Sequence, residues 1–160
     1  MTLLVIGLLI CLVLIIWQDF KFRHIHIVLP ILVFGISYFL TNYILQNVKN
    51  ILFNSLFLGI TLFVLFTYIS IKNKAVLNPF KHYFGLGDLL FFVAITPLFL
   101  IFNYILFFIL SLLFSILMQL TLKKWISKDS VPLAGLVSVF LVFIILCDTF
   151  LSFQKLTLIR

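Results

Sequence analysis

The sequence predicts an all-α integral membrane protein, with about six transmembrane helices in a single domain, residues 1–160. Of its residues, 65% are hydrophobic and only 9% are charged, and the mean hydropathy is +1.37. A water-soluble domain of this composition would have too few polar side chains to cover its surface. Apolar runs long enough to cross about 30 Å of hydrocarbon recur along the chain.

Charged or polar residues separate the predicted spans. The fourth and fifth spans are divided at Asn103, helped by Pro97, because one helix covering both would have about 35 residues and be too long for a single crossing. The runs cover 2–18, 25–45, 51–71, 88–102, 104–122 and 131–153. The first run lacks a basic region and a small-residue cleavage site, so a removable signal peptide is not expected.

The positive charges predict the orientation of the spans, because cytoplasmic loops carry an excess of Lys and Arg. An even number of spans puts both termini on one side. Eight basic residues fall in one set of connections and three in the other set and the tail, so we predict a cytoplasmic first set and external termini. The first set is Lys21, Arg23, Lys72, Lys74, Lys81, Lys123, Lys124 and Lys128, and the second is Lys49, Lys155 and Arg160.

The net charge of +7 fits this topology better than nucleic-acid binding, because the basic residues lie singly or in pairs between apolar runs. Cys11 and Cys147 lie inside apolar runs without a CxxC pair, so we expect plain buried thiols. His24, His26 and His82 lack HxxxH or HExxH spacing and are interpreted as interfacial polar residues. We predict no metal site and no cofactor.

The acidic residues are scarce, with no Glu and four Asp: Asp19, Asp88, Asp129 and Asp148. Asp19 ends the first span and Asp88 opens the fourth, so both carboxylates are expected at the cytoplasmic membrane boundary. Asp148 lies about 26 Å along the last span, near the outer interface. We interpret it as an exposed or hydrogen-bonded helix-end residue.

Two carboxylates at one depth are either helix-end residues that face headgroup water or a catalytic pair. For Asp88 the first interpretation has some support, because a carboxylate in a first helical turn meets the positive end of the helix dipole. In a catalytic pair, repulsion and partial desolvation make the two groups share one proton. One group then accepts a proton from water while the other donates one to a peptide carbonyl oxygen.

The stretch YFGLGDLLFF places two glycines directly before Asp88. Because Gly85 and Gly87 lack a Cβ, they allow an extended peptide to approach the backbone. They also permit an unwound segment before the helix, which is tolerated at membrane depth where it is buried in protein or lines a watery cavity. These glycines therefore favour the catalytic interpretation.

The segment DFKFRHIHI resembles the first motif of the type IV prepilin peptidases, membrane aspartic proteases of the GxGD kind. In that family the first aspartate ends a span, is followed by basic residues and leads into an Ile-Pro-Asn step. Asp19, Lys21, Arg23 and Ile25 stand here in that arrangement. His26 stands where the family has Pro.

Two further segments carry the same resemblance. GLGDLL supplies Gly85, Gly87 and Asp88 of the family's GxGDxK string, and Pro132 in VPLAG matches a later Ile-Pro motif. Leu90 stands where the family has Lys, which removes a cation that could interact with substrate or with the carboxylate. The first cytoplasmic loop is too short for the methyltransferase domain of long members, so the resemblance implies a peptidase-only form.

The function implied by this resemblance is that of a prepilin-type aspartic endopeptidase in the cell membrane of a prokaryote. Asp19 and Asp88 would be its catalytic residues, with the active site facing the cytoplasm. The implied partners are the lipid bilayer and prepilin-like substrates with a basic leader and an apolar helix. Two alternatives stay open: an inactive relative that serves as a membrane assembly subunit, and a small proton- or cation-coupled transporter, since paired intramembrane aspartates also mark ion paths.

Overall fold

The computed structural model describes residues 2–41, 44–73, 85–122, 131–150 and 156–159. Within these ranges the chain forms helices and no strand, which confirms the all-α class for them. The helices are α1 (Thr2–Phe22), α2 (Val28–Leu40), α3 (Ile44–Asn73), α4 (Leu86–Ala94), α5 (Ile101–Leu122) and α6 (Leu133–Phe150). A 3-10 turn, Thr96–Leu98, follows α4.

Three of the described helices contain segments long and apolar enough to cross a membrane: Leu3–Phe22, Val48–Asn73 and Ile101–Thr121. Shorter apolar helices cover Val28–Leu40, Leu86–Leu98 and Leu133–Thr149. Many large apolar side chains are exposed on the surface of this bundle. These features are consistent with a membrane protein. The number of spans and the side on which the termini lie stay predictions.

The centre of the bundle is formed where α1 packs against α2 and α6, and α2 packs against α4. On α1 the buried side chains Leu8, Leu12 and Ile15 recur at helical spacing, and on α6 Val137 and Leu141 do the same. Lipid tails are as apolar as these side chains, so helix association in a bilayer depends on close van der Waals packing. This packing holds the C-terminus of α1 beside the N-terminus of α6.

The predicted boundary between the fourth and fifth spans was wrong in its position. Asn103 lies inside α5, and the chain leaves the α-helix at 95–100, where Pro97 is part of the 3-10 turn and Phe99 is extended. Pro97 has no N–H and its ring clashes with an α-helical preceding turn, so the break occurs there. The side chain of Asn103 donates to the carbonyl of Leu156 at 2.8 Å, so its amide binds the tail of the chain.

Side chains from other elements bind the carbonyl groups freed by this break. Asn54 of α3 is fully buried, and its Nδ2 donates to the carbonyls of Thr96 and Phe99, both at 2.9 Å. The hydroxyl of Tyr104 donates to the carbonyl of Phe92 at 3.0 Å. Non-helical backbone at membrane depth requires internal partners of this kind.

Asp148 is a hydrogen-bonded helix-end residue, as predicted. Its carboxylate accepts from the backbone N–H of Leu156 at 3.2 Å, and from the N–H and hydroxyl of Thr157 at 2.7 and 2.6 Å. The N–H of Leu158 donates to the carbonyl of Leu98 at 2.8 Å, so the tail is held against the break. Asp148 therefore binds the tail at the C-terminal end of α6.

Candidate active site

The first turn of α6 offers backbone N–H groups that have no acceptor within the helix. Pro132 stands just before the helix, and its carbonyl accepts from the N–H of Leu136 at 3.0 Å, which begins the helical ladder. The N–H groups of Ala134 and Gly135 are thus left for acceptors from elsewhere in the protein. The positive end of the helix dipole makes an anionic acceptor favourable there.

Both predicted catalytic aspartates bind this turn. Asp19 Oδ2 accepts from the N–H of Gly135 at 2.6 Å, and Asp88 Oδ1 accepts from the N–H of Ala134 at 2.9 Å. Because the two donors are consecutive in the chain, the bound oxygens lie within about 10 Å of each other. The fold thus brings together two acids that are far apart in the sequence.

Asp19 lies in the last turn of α1 and is only 5% exposed, whereas Asp88 lies in the first turn of α4 and is partly exposed. Arg23 places a positive charge near Asp19. Arg23 follows directly after α1 and adopts the left-handed conformation, with φ of 59°. Its N–H donates to the Asp19 carbonyl at 3.1 Å. This backbone conformation costs a non-glycine residue about 1–2 kcal/mol. It turns the chain from α1 towards α2 beside the carboxylate pair.

Two glycines provide the space that the carboxylates occupy. A Cβ on Gly135 would lie 3.1 Å from Asp19 Oδ2 and 3.1 Å from the ring of Phe20. A Cβ on Gly85 would lie 2.8 Å from Asp88 Oδ2. Any other residue at these two positions would therefore displace a carboxylate or a neighbouring ring.

The second glycine of the GLGD string has a different neighbour. A Cβ on Gly87 would meet the side chain of Ile25 at 3.4 Å, which is an ordinary packing contact. Gly87 thus packs the start of α4 against the connection between α1 and α2. Gly85 is extended and forms the N-terminal boundary of α4, with φ of −69° and ψ of 136°. The approach of a substrate peptide to Gly85 and Gly87 stays a prediction.

Lys21 lies on the exposed surface of α1. Its ammonium is 4.8 Å from the centre of the Trp17 ring and 5.1 Å from that of Phe22, which are cation–π distances. The two rings pack edge to face at 5.7 Å. Aromatic and basic side chains of this kind are enriched at membrane interfaces. The role of Lys21 in supporting the motif stays a prediction.

His26 uses the backbone N–H that a proline would lack. This N–H donates to Gln18 Oε1 at 3.0 Å, which joins the last turns of α1 to the beginning of α2. The carbonyl of His26 accepts from the N–H of Leu29 at 3.0 Å. His26 therefore contributes a hydrogen bond that a proline at this position could not donate.

Several predicted residues lie outside the described ranges: Lys74, Lys81, His82, Lys123, Lys124, Lys128, Asp129, Lys155 and Arg160. In the part of the chain that is described, no three His, Cys, Asp or Glu side chains are grouped so that they could hold a metal ion. Cys11 is buried and Cys147 is partly buried, and both are free thiols.

The sequence interpretation missed the two residues of α6 that bind the carboxylates, Ala134 and Gly135. A signal for them was present in VPLAG. A proline at the start of a span leaves the N–H groups of the following residues without helical acceptors. The small residues Ala134 and Gly135, two and three positions after Pro132, let other groups approach those N–H groups closely.

Comparisons with protein-family models, with curated proteins and with solved structures find no match to this chain. The resemblance to the prepilin peptidases therefore stays a prediction drawn from the motifs.

Proposed function

We propose that the chain is a membrane aspartic endopeptidase that cleaves the basic leader of prepilin-like proteins at the cytoplasmic membrane interface. The observation that carries the proposal is the meeting of the Asp19 and Asp88 carboxylates at consecutive N–H groups of α6. Two like charges held close together are costly, and such arrangements concentrate at catalytic sites.

The hydrogen bonds suggest how the pair would act. One N–H of α6 holds Oδ2 of Asp19, and the other holds Oδ1 of Asp88. Each bond thereby orients the second oxygen of its carboxyl group. The ionised member of the pair takes a proton from water as the water oxygen attacks the peptide carbon. The protonated member donates to the carbonyl oxygen, which forms a tetrahedral diol. As the diol collapses and the C–N bond breaks, the aspartate that took the proton from water gives it to the amine nitrogen. The other aspartate takes a proton from a diol hydroxyl, so the pair again shares one proton.

The proposed substrate follows from the depth expected for the two carboxylates. A prepilin-like substrate has a short basic leader, which the positive-inside effect holds in the cytoplasm, and an apolar helix that enters the bilayer. The bond between them must be extended to be cut, and a Gly at the junction keeps it unwound. We expect cleavage just after this Gly, and release of an unmethylated N-terminus.

The transporter alternative is less favoured because of the break between α4 and α5. Broken helices in transporters present unwound carbonyls to the coupling ion. Here Asn54 donates to the carbonyls of Thr96 and Phe99, and Leu158 donates to that of Leu98. Carbonyl groups already bound to protein donors are poor cation ligands, so the break does not favour ion binding.

The proposal is tested by co-expressing the chain with candidate prepilin-like proteins and determining the N-termini of the products by mass spectrometry. Asp19→Asn and Asp88→Asn should each lower cleavage by at least about 100-fold, because an amide cannot exchange the proton that the reaction needs. Asp148→Asn is the matched control, since this acid lies about 20 Å along α6 from Gly135. Substrate cleavage by Asp148→Asn, measured per amount of folded protein, should be near normal.

Near-normal turnover by either Asp19→Asn or Asp88→Asn would show that the paired mechanism is wrong. Sensitivity of the purified protein to chelators would point to a different chemistry. Ion-coupled flux without cleavage would support the transporter alternative. Failure of the unchanged chain to cleave any candidate would support the inactive relative, for which Leu90 and His26 are the motivating residues.

A further inference from the structure

Two polar clusters lie at opposite ends of α6, closer together than the two faces of a bilayer. The first cluster is the carboxylate pair at Ala134 and Gly135, and the second is the tail bound to Asp148. Along the helix axis, Gly135 and Asp148 are separated by about 20 Å. The hydrocarbon of a typical bilayer is about 30 Å thick. A bilayer of ordinary thickness therefore cannot have both clusters at its faces.

Helix α2 is as short as the distance between these two clusters. It has 13 residues, which corresponds to about 20 Å, and it packs against α4. Its outer surface carries exposed apolar side chains from Val28 to Phe39, and the exposed residues His24 and His26 precede it at the end nearest the site. The apolar face of α2 between these polar residues and its C-terminus is about 17 Å high.

Helices α3 and α5 have much longer apolar surfaces. The segment Val48–Asn73 has 26 residues and Ile101–Thr121 has 21, which correspond to about 39 Å and 31 Å. Large apolar side chains are exposed along both segments. These two helices thus match a full bilayer, as does the 20-residue segment Leu3–Phe22 of α1, whereas α2 itself matches a thinner one.

We propose that the protein thins the bilayer beside α2, so that headgroups and water of the adjacent leaflet descend to the level of Asp19 and Asp88. The inference rests on the membrane location given in the proposed function. A helix shorter than the hydrocarbon thickness cannot correct the mismatch by tilting, whereas local thinning of the lipid can. Thinning also avoids placing His24, His26 and the carboxylates in hydrocarbon, where polar groups are costly. The partner of this surface is the phospholipid bilayer itself.

For the proposed reaction, thinning would supply water to a site whose neighbouring helices face lipid. The end of a substrate helix that entered beside α2 would lose its hydrocarbon surroundings near the carboxylates. Backbone groups that face water can exchange helical hydrogen bonds for bonds to water, so the substrate would unwind there more easily.

The test measures the depth of spin labels on single cysteines in nanodiscs. Val28 and Phe39 on α2 are 47% and 70% exposed, and Leu106 and Leu117 on α5 are 46% and 63% exposed. Both pairs have the same spacing along a helix, so they form matched probes. Each cysteine is introduced into a chain that carries Cys11→Ala and Cys147→Ala.

Labels at both α2 positions should be several-fold more accessible to a water-soluble nickel complex than labels at both α5 positions. The α5 labels should instead be accessible to oxygen, which concentrates in hydrocarbon. Equal depths for the two pairs would overturn the proposal, whether or not the protein cleaves a substrate. A depth difference in a protein that cleaves no candidate would contradict the proposed function and leave the thinning established.

Discussion

Gly135 lies where the backbone of α6 meets the carboxylate of Asp19. The N···O distance of 2.6 Å is short, and the ring of Phe20 lies on the same side of the helix. A methyl group at Gly135 would contact both neighbours at 3.1 Å, which is closer than ordinary packing allows. At this position the absence of a side chain determines where the carboxylate lies.

Gly135→Ala should therefore lower the proposed peptidase activity about ten-fold or more. Alanine is about 1 kcal/mol more favourable than glycine inside a helix, so weaker helix formation cannot explain such a loss. The measurement is the cleavage rate per amount of folded protein. The matched control is Gly59→Ala on α3, where an added Cβ meets no atom within 4 Å and activity should be unchanged. Normal cleavage by Gly135→Ala would show that the Asp19 contact is not needed.

At the scale of elements, the break between α4 and α5 depends on one side chain of α3. Asn54 donates to two carbonyls of the break and is fully buried. Asn50 lies one turn earlier on the same helix and is also buried, but its Nδ2 has no hydrogen-bond partner among the described residues. The two asparagines therefore resemble each other in type and burial and differ in what they bind.

Asn54→Leu should destabilise the protein by about 1–3 kcal/mol for each buried carbonyl that loses its donor. Asn50→Leu should have a much smaller effect or stabilise the protein slightly, because its amide donates no bond. Thermal or denaturant-induced unfolding of both variants in detergent measures the difference in stability. Equal effects of the two substitutions would show that the carbonyls of Thr96 and Phe99 find other donors.

At the scale of the whole molecule, the basic residues predict the orientation of the bundle in the membrane. Lys49 and Lys72 are both exposed and lie on α3, about 35 Å apart along its axis. The excess of Lys and Arg in one set of connections predicts that the Lys72 end faces the cytoplasm. The carboxylate pair belongs to the same predicted side.

A cysteine that replaces Lys72 should be labelled from the cytoplasmic side, and one that replaces Lys49 should be labelled only from outside. Membrane-impermeant thiol reagents applied to intact cells and to inverted vesicles make this measurement, in a chain without its native cysteines. The reverse pattern would place Asp19 and Asp88 on the face opposite to a basic leader. That result would contradict leader cleavage while leaving the fold unchanged.

The sequence alone determined the all-α class and the approximate location of each described helix. Apolar runs predict helices in this composition because every backbone hydrogen bond of an α-helix is made within the run itself. Asp19 and Asp88 were also identified from the sequence as candidate site residues, since acids are rare in this chain and the two lie at matching ends of predicted spans. These properties depend on neighbours in the chain.

Only the tertiary structure decided what those aspartates bind and where the chain breaks. The N–H groups of Ala134 and Gly135 reach the carboxylates because α1 and α4 each pack against α6. Asn103 was expected to mark a turn, but its amide binds the tail at Leu156. A polar side chain in an apolar run can satisfy its hydrogen bonds in several ways. Which way it does so depends on groups that approach from distant parts of the chain, and helix packing determines those.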